Sequence, residues 1–232
     1  MLQLLKRLSD NRQSGTLADH LRRKRFALFT EMLAGMSRPV RVLDVGGTVS
    51  FWERMGFRGM DRVEVTLLNL HTEQTDVPGI STMAGNACDL SHFDDNSFDI
   101  AFSNSVIEHV GGWEDQQLMA REMQRVGKHI FLQTPNKYFP LEPHFLFPFY
   151  QFLPLRVRVW LLMRFNLGWY PCFSSRDAAR EAATSIRLMT RKELQVLFPG
   201  ARIYRERFGG VTKSFVVVGS SSPLRQHSSA LP

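Results

Sequence analysis

Two groups of residues in this chain have types and spacings that could do chemistry. The first is Asp44 with Gly46 and Gly47, in the stretch RVLDVGGTVSFW from Arg41 to Trp52. There an apolar run ends in an acid, two glycines follow, and a small polar residue opens a helix-like segment. The second centres on histidine: His109 with Glu108 beside it in IEHV, and His144 in LEPHF. Histidine titrates near neutrality, so either residue is a candidate general base. By the same reading His109 could instead sit at a helix end, His144 could be loop scaffolding, and Glu108 is expected to face solvent.

The loop after Asp44 excludes two ligands by its spacing. A dinucleotide fold uses G-x-G-x-x-G and a phosphate-cradling loop uses G-x-x-x-x-G-K-[ST]. Gly46 and Gly47 are followed by Thr48, Val49 and Ser50, with neither a lysine nor a third glycine. A preceding acid would also repel a pyrophosphate. An acid beside a glycine that admits close approach suits a ligand with a cationic end, and S-adenosylmethionine carries an ammonium group beside a sulfonium.

The elements that must hold these residues alternate. Residues 1–38 read as helical, and VRVLDV as a short strand apolar enough for a parallel sheet. SFWERMGF follows as a brief helix, then RVEVTLLNL and ISTMAGNACDL as two further strands, and SFDIAFSNS as a fourth. WEDQQLMAREMQRVG is a helix with Gly127 set as a C-cap, and HIFLQTP a fifth strand stopped by Pro135. This alternation implies right-handed crossovers and a doubly wound α/β sheet. From 137 to 173 the rhythm breaks into a segment with five prolines and many aromatics. TRKELQVLFPG is then a helix with Thr190 as N-cap, and ARIYRERFGGV with KSFVVVG an antiparallel pair at the sheet edge.

Taken in order, these segments resemble class I S-adenosylmethionine-dependent methyltransferases of the broad type 11 group. VLDVGGT is similar to the family's first motif, GNACDL to its GDAxxL loop, and SFDIAFSNSVIEHV to its fourth-strand motif. The resemblance covers roughly 40–136 and 186–219. It implies a Rossmann-like, doubly wound sheet of seven strands with the last antiparallel. A helical extension (1–38) would precede a methyltransferase domain (39–220), which carries a helical cap (137–185) inserted after strand five. The tail, 221–232, is expected to be disordered.

The resemblance also implies the cofactor, S-adenosylmethionine, and its contacts. Asp44 would face the methionine ammonium, while Val45, Gly46 and Gly47 form the loop that approaches it. Asn69 and Leu70 close the second strand where the ribose hydroxyls are held. Asn86 and Ala87 lie where the adenine is read, and Ser103 and Asn104 close the fourth strand beside the methyl group's path. Three departures stand out. Thr48 replaces the family's second glycine, and Asn69 and Asn86 are amides where carboxylates are usual. An amide still accepts through its carbonyl oxygen, but a neutral hydrogen bond is roughly half as strong as a charged one. No metal ligand set is expected.

The bulk properties bound the partners. The 232 residues carry a formal charge of +7, with 44% hydrophobic and 22% charged residues and two distant cysteines. Such a chain suits a reducing, cytoplasmic setting. The N-terminus MLQLLKRLSD is interrupted by Lys6 and Arg7, unlike a signal peptide. The one dense basic run, Arg22 to Arg25, reads as a solvated helix face, short of the clustered stripe RNA binding needs, so nucleic acid is not the expected partner. The expected reaction is methyl transfer to a small or lipid-like acceptor, through oxygen on a quinol, sugar or lipid carrier. An RNA methyltransferase and a non-catalytic binding protein of the same fold are the alternatives. The aromatics of 139–170 leave open a satellite core, an apolar substrate site or peripheral membrane contact. The sequence leaves the acceptor and the oligomeric state undetermined.

Overall fold

The computed structural model describes residues 17–220. The first 16 residues and the tail 221–232, for which a helical start and disorder are expected, lie outside the described residues. Seven strands form one sheet: β1 (Val40–Val45), β2 (Val63–Asn69), β3 (Ile80–Ala84), β4 (Phe98–Asn104), β5 (Gly127–Pro135), β8 (Arg202–Phe208) and β9 (Val211–Ser220). Their order is β3-β2-β1-β4-β5-β9-β8. β1 pairs in parallel with both β2 and β4, and the chain reverses between them, so the carboxyl ends of β1 and β4 flank a switch point. β9 runs antiparallel to β5 and to β8.

Both faces of the sheet are covered, which is why its central strands are apolar on both sides. On one face α3 (Trp113–Val126) and α6 (Arg191–Leu197) bury Met119, Met123, Leu194 and Leu197 against Leu43, Ala101 and Ile130. On the other face lie α1 (Leu17–Ala34) and the short α2 (Val49–Arg54). There Phe29, fully buried, meets Trp52, Phe102 and Phe131 edge-on at centroid distances of 5.6, 5.1 and 5.6 Å. The N-terminal helix is therefore a layer of the core. No helix occurs between β2 and β3 or between β3 and β4, where irregular chain makes the connections.

Gly127 is the C-cap of α3 as expected, its N–H donating to the Met123 carbonyl, but its backbone is not left-handed. Its φ of −103° is extended, and β5 begins on it directly. A Cβ there would lie 2.6 Å from the Ala101 Cβ, so close packing of β5 on β4 explains the glycine.

The segment after β5 folds into its own small core. A two-residue hairpin, β6 (Leu141–Glu142) with β7 (Phe147–Pro148), leads into α4 (Leu155–Leu162), and α5 (Arg176–Thr184) packs against α4. Phe145, Tyr150, Leu162, Leu167 and Ala183 are buried together. The satellite-core expectation therefore accounts for half of the aromatics. Phe149, Phe152, Trp160, Phe165 and Trp169 stay exposed. Among the described residues no helix is long and apolar enough to cross a membrane.

Candidate active site

The carboxyl ends of β1, β2 and β4 surround a cavity of about 300 Å³. Its walls include Val45, Gly46, Asn69, Leu70, Asn86 and Ala87, and Ser105, Val106 and His109 close one end. A second hollow of about 180 Å³ lies on the other side of Gly46, lined by Arg22, Asp44, Gly47, Thr48, Arg54 and Asn104. Nine of the ten residues expected at the cofactor thus line one hollow or the other. Ser103 lines neither: it is fully buried, and its hydroxyl donates to the Val45 carbonyl at 3.0 Å, tying β4 to β1.

Asp44 is buried at the end of β1. The Trp52 indole N–H donates to its Oδ2 at 2.7 Å, and Oδ1 has no partner among the described residues. Burial pushes the carboxyl up to about 7, opposed by the indole hydrogen bond. The two glycines are demanded by this packing. Gly46 has φ +81°, and a Cβ on it would meet Val106 at 2.4 Å. On Gly47 a Cβ would sit 1.8 Å from Asp44 Oδ2. Thr48 does a different job from the glycine it replaces, since its hydroxyl caps α2 by accepting from the Phe51 N–H.

The two amides each have a local partner. Asn69 Nδ2 donates to the Gly47 carbonyl at 2.6 Å, holding the glycine loop closed and leaving Oδ1 as an acceptor toward the cavity. A carboxylate could not make that bond. Asn86 Oδ1 accepts from the Cys88 N–H at 3.0 Å, which shapes the turn after β3.

The basic run on α1 departs from the expected solvated face. Arg23 and Lys24 are exposed, but Arg22 is only 5% exposed and lines the Asp44 hollow. Arg25 Nε stands 3.2 Å from Glu206 Oε1, and its Nη1 donates to Asn104 Oδ1 at 3.4 Å. The helical repeat turns the first and last members of the run, three residues apart, inward, a pattern that charge content conceals.

The histidine group converges. His109 ends a single 3₁₀ turn (Ile107–His109) after β4, and His144 comes from the β6–β7 hairpin. Their rings meet edge to face at 4.7 Å. Glu108 faces inward rather than to solvent: it is fully buried, Thr134 Oγ1 donates to its Oε2 at 2.9 Å, and Oε1 has no partner among the described residues. Burial lifts its carboxyl to about 7, against the opposing charge of His144. His109 is exposed along one edge, yet packing of its ring and then the neighbouring His144 hold it down at about 4. Burial alone would lower His144, but Glu142 and Glu108 raise it. Glu142, which the sequence did not single out, bonds His144 Nδ1 through Oε1 at 2.7 Å and accepts the amides of His144 and Phe145 on Oε2.

The site fits S-adenosylmethionine on its own observations. The unpartnered Oδ1 of Asp44 offers an acceptor to an ammonium, and Arg22 and Arg54 line the same hollow for a carboxylate. On the other side of Gly46 the apolar walls of Leu68, Leu70 and Val110 suit a flat adenine. Residues 43–129 match a family model described as a methyltransferase domain. Over that stretch the chain carries the pattern of a methyltransferase domain, and its fold is the one S-adenosylmethionine-dependent methyltransferases adopt. The chain is similar in fold to a SAM-dependent methyltransferase from Aquifex aeolicus, with TM-score 0.52 and 13% identity over 94% of this chain and 97% of that one. It also resembles the CurJ carbon methyltransferase, with TM-score 0.57 and 11% identity over 92% of this chain and 57% of that one. A phosphoethanolamine N-methyltransferase 2 from Haemonchus contortus, solved with S-adenosylmethionine, matches at TM-score 0.50 and 13% identity. That match spans 78% of this chain and 38% of that one. No curated protein sequence matches.

Proposed function

We propose that the methyltransferase acts on an oxygen of a small or lipid-like acceptor, which enters between the end of β4 and the inserted cap. The observation that carries this reading is His109, which lines the cofactor cavity on one side and touches the cap residue His144 on the other. S-adenosylmethionine supplies a methyl carbon already activated by its sulfonium. The chain's part is to hold a nucleophile in line with that carbon, exclude water and accept a proton where needed.

In this reading Asp44, Arg22 and Arg54 hold the methionine end, and Asn69, Leu70, Asn86 and Ala87 hold the adenosine. Asn104 borders the methionine hollow at the end of β4. His109 is neutral near pH 7 and able to accept the acceptor's proton. A base held down at about 4 is weak, so the reading asks little of it beyond accepting a proton as the methyl group transfers. His144, fixed by Glu142, positions the His109 ring.

The cap supports an apolar acceptor. Trp160 and Phe165 meet edge to face at 6.0 Å, Tyr138 stacks on Phe152 at 6.2 Å, and all four rings are exposed. Aromatics of this size left at a surface suit a lipid-like acceptor or a membrane interface.

The test uses purified protein with methyl-labelled S-adenosylmethionine and four acceptor pools: quinols, total lipid, sugars and bulk RNA. Label in the quinol or lipid pool, lost in His109→Ala, is the expected result. Label in RNA alone would overturn the acceptor assignment. Cosedimentation with vesicles of zwitterionic and anionic lipid checks the membrane contact, with loss of binding in Trp160→Ala expected.

A further inference from the structure

Beside the cofactor cavity, the geometry points to a site for a divalent transition-metal ion, ligated by Glu108, His109 and His144. One ligand atom from each of these residues lies within 4.8 Å of the others. Around a zinc ion with bonds of about 2.0–2.1 Å, neighbouring ligand atoms are roughly 3.3 Å apart, so a small movement, chiefly of the exposed His109 ring, would close the set. The site rests on its own observations, and only its link to the acceptor rests on the proposed reaction.

Two features argue for a ligand at this place. Glu108 Oε1 is fully buried with no partner among the described residues, although Oε2 is bonded by Thr134. Leaving a buried carboxylate oxygen unpaired is unfavourable, and native structures seldom do so without an ion, a water or a functional reason. Second, the Nδ1 of His144 is bonded to Glu142, whose other oxygen is anchored by two backbone amides. That arrangement fixes the ring and leaves Nε2 as the free nitrogen. A carboxylate behind a ligating histidine is the usual support of a metal site.

The donor set also selects the metal. Two imidazoles and one carboxylate suit zinc, cobalt or ferrous iron, whereas magnesium and calcium favour oxygen ligands. Three protein ligands with an open position describe a catalytic-type centre rather than a closed structural one. The open position would face the cavity that His109 lines together with Ser105 and Val106. A hydroxyl coordinated there would lose its proton to water more readily, because the cation stabilises the oxyanion. Coordination would then replace direct proton transfer to His109.

The test is direct. Full-length protein is stripped with a chelator and titrated with Zn2+, with Co2+ as a visible-absorbing stand-in, and with Mg2+. One equivalent of Zn2+ per chain is expected, with affinity at least 100-fold weaker in His109→Ala and in Glu108→Gln. His109→Ala serves as the main variant because the residue is exposed, and circular dichroism checks the folding of both variants. Titration of each protein with S-adenosylhomocysteine separates the two ideas. Metal binding without cofactor binding would leave the site standing and remove the transfer reading. Stripped wild type that takes up no Zn2+, His109→Ala that binds as tightly as wild type, or Mg2+ that binds as well as Zn2+ would overturn the assignment.

Discussion

Trp52 donates its indole N–H to the buried carboxylate of Asp44 at 2.7 Å. This bond joins the first turn after the glycine loop to the end of β1, and it opposes the effect of burial on Asp44. Replacing Trp52 by Phe keeps an aromatic ring and removes the donor. Loss of a hydrogen bond to a charged group, with some packing, predicts a destabilisation of about 2–4 kcal/mol. Urea unfolding at pH 5 and pH 8 should show the larger loss at pH 8, where Asp44 is ionised and most in need of the donor. Equal losses at both pH values would mean that the indole acts through packing alone.

The raised carboxyl of Asp44 predicts a stability profile. Its ordinary value is 3.8 and its folded value about 7. Between these values the folded state holds a proton that the unfolded chain releases, so stability falls as pH rises through the window and levels off above 7. Glu108, also raised to about 7, contributes in the same direction. Asp44→Asn should remove its share of the slope between pH 4 and 7 and leave the part due to Glu108. An unchanged slope in chemical denaturation would sink the assignment.

The same carboxyl predicts proton-linked cofactor binding. An ammonium requires the ionised form of Asp44. Binding of S-adenosylhomocysteine should therefore release a proton near pH 6 and none near pH 8.5. Its affinity should fall by up to about tenfold per unit below pH 7. Calorimetry in two buffers of different ionisation enthalpy reads the proton directly, and Asp44→Asn should bind weakly with no release.

How far the sequence carries depends on what kind of pattern encodes each residue. The sheet is legible because parallel strands buried on both faces are apolar without a gap, and their breakers fall at Gly, Pro and Asn. Asp44, Gly46 and Gly47 are legible because acid and glycine together narrow the ligand. Glu108 is not, because a single 3₁₀ turn has no period from which an inward side can be read. Arg22 and Arg25 are hidden among four consecutive bases, and only the neighbouring Phe26 and Phe29 indicate which side of α1 faces the sheet. Glu142 is hidden because a hairpin of two-residue strands brings it to His144, and a proline-rich stretch gives no warning of such pairing.

Phe29 tests whether α1 is a layer of the core. It is fully buried among Phe26, Trp52, Phe102 and Phe131. Phe29→Ala should cost about 3–5 kcal/mol, the range for a large aromatic removed from a packed interior. A loss below about 1 kcal/mol in urea unfolding would show that the helix is detachable, and Arg22 would then be a poor candidate for a cofactor contact.

Asn69 gives the sharpest contrast between motif and structure. By motif alone, Asn69→Asp restores the usual carboxylate, and a charged hydrogen bond to ribose should tighten the cofactor. The Asn69 Nδ2 bond to the Gly47 carbonyl at 2.6 Å predicts the opposite. An aspartate would present an oxygen to that carbonyl oxygen, lose the only donor and push the glycine loop away from Asp44. Leaving such a pair unmade costs about 1–3 kcal/mol, so S-adenosylhomocysteine should bind roughly 5- to 100-fold more weakly. Tighter binding in the variant would mean that the loop rearranges to accept the acid. The amide would then be a departure from the family pattern without a structural reason, whereas weaker binding would make the donor that reason.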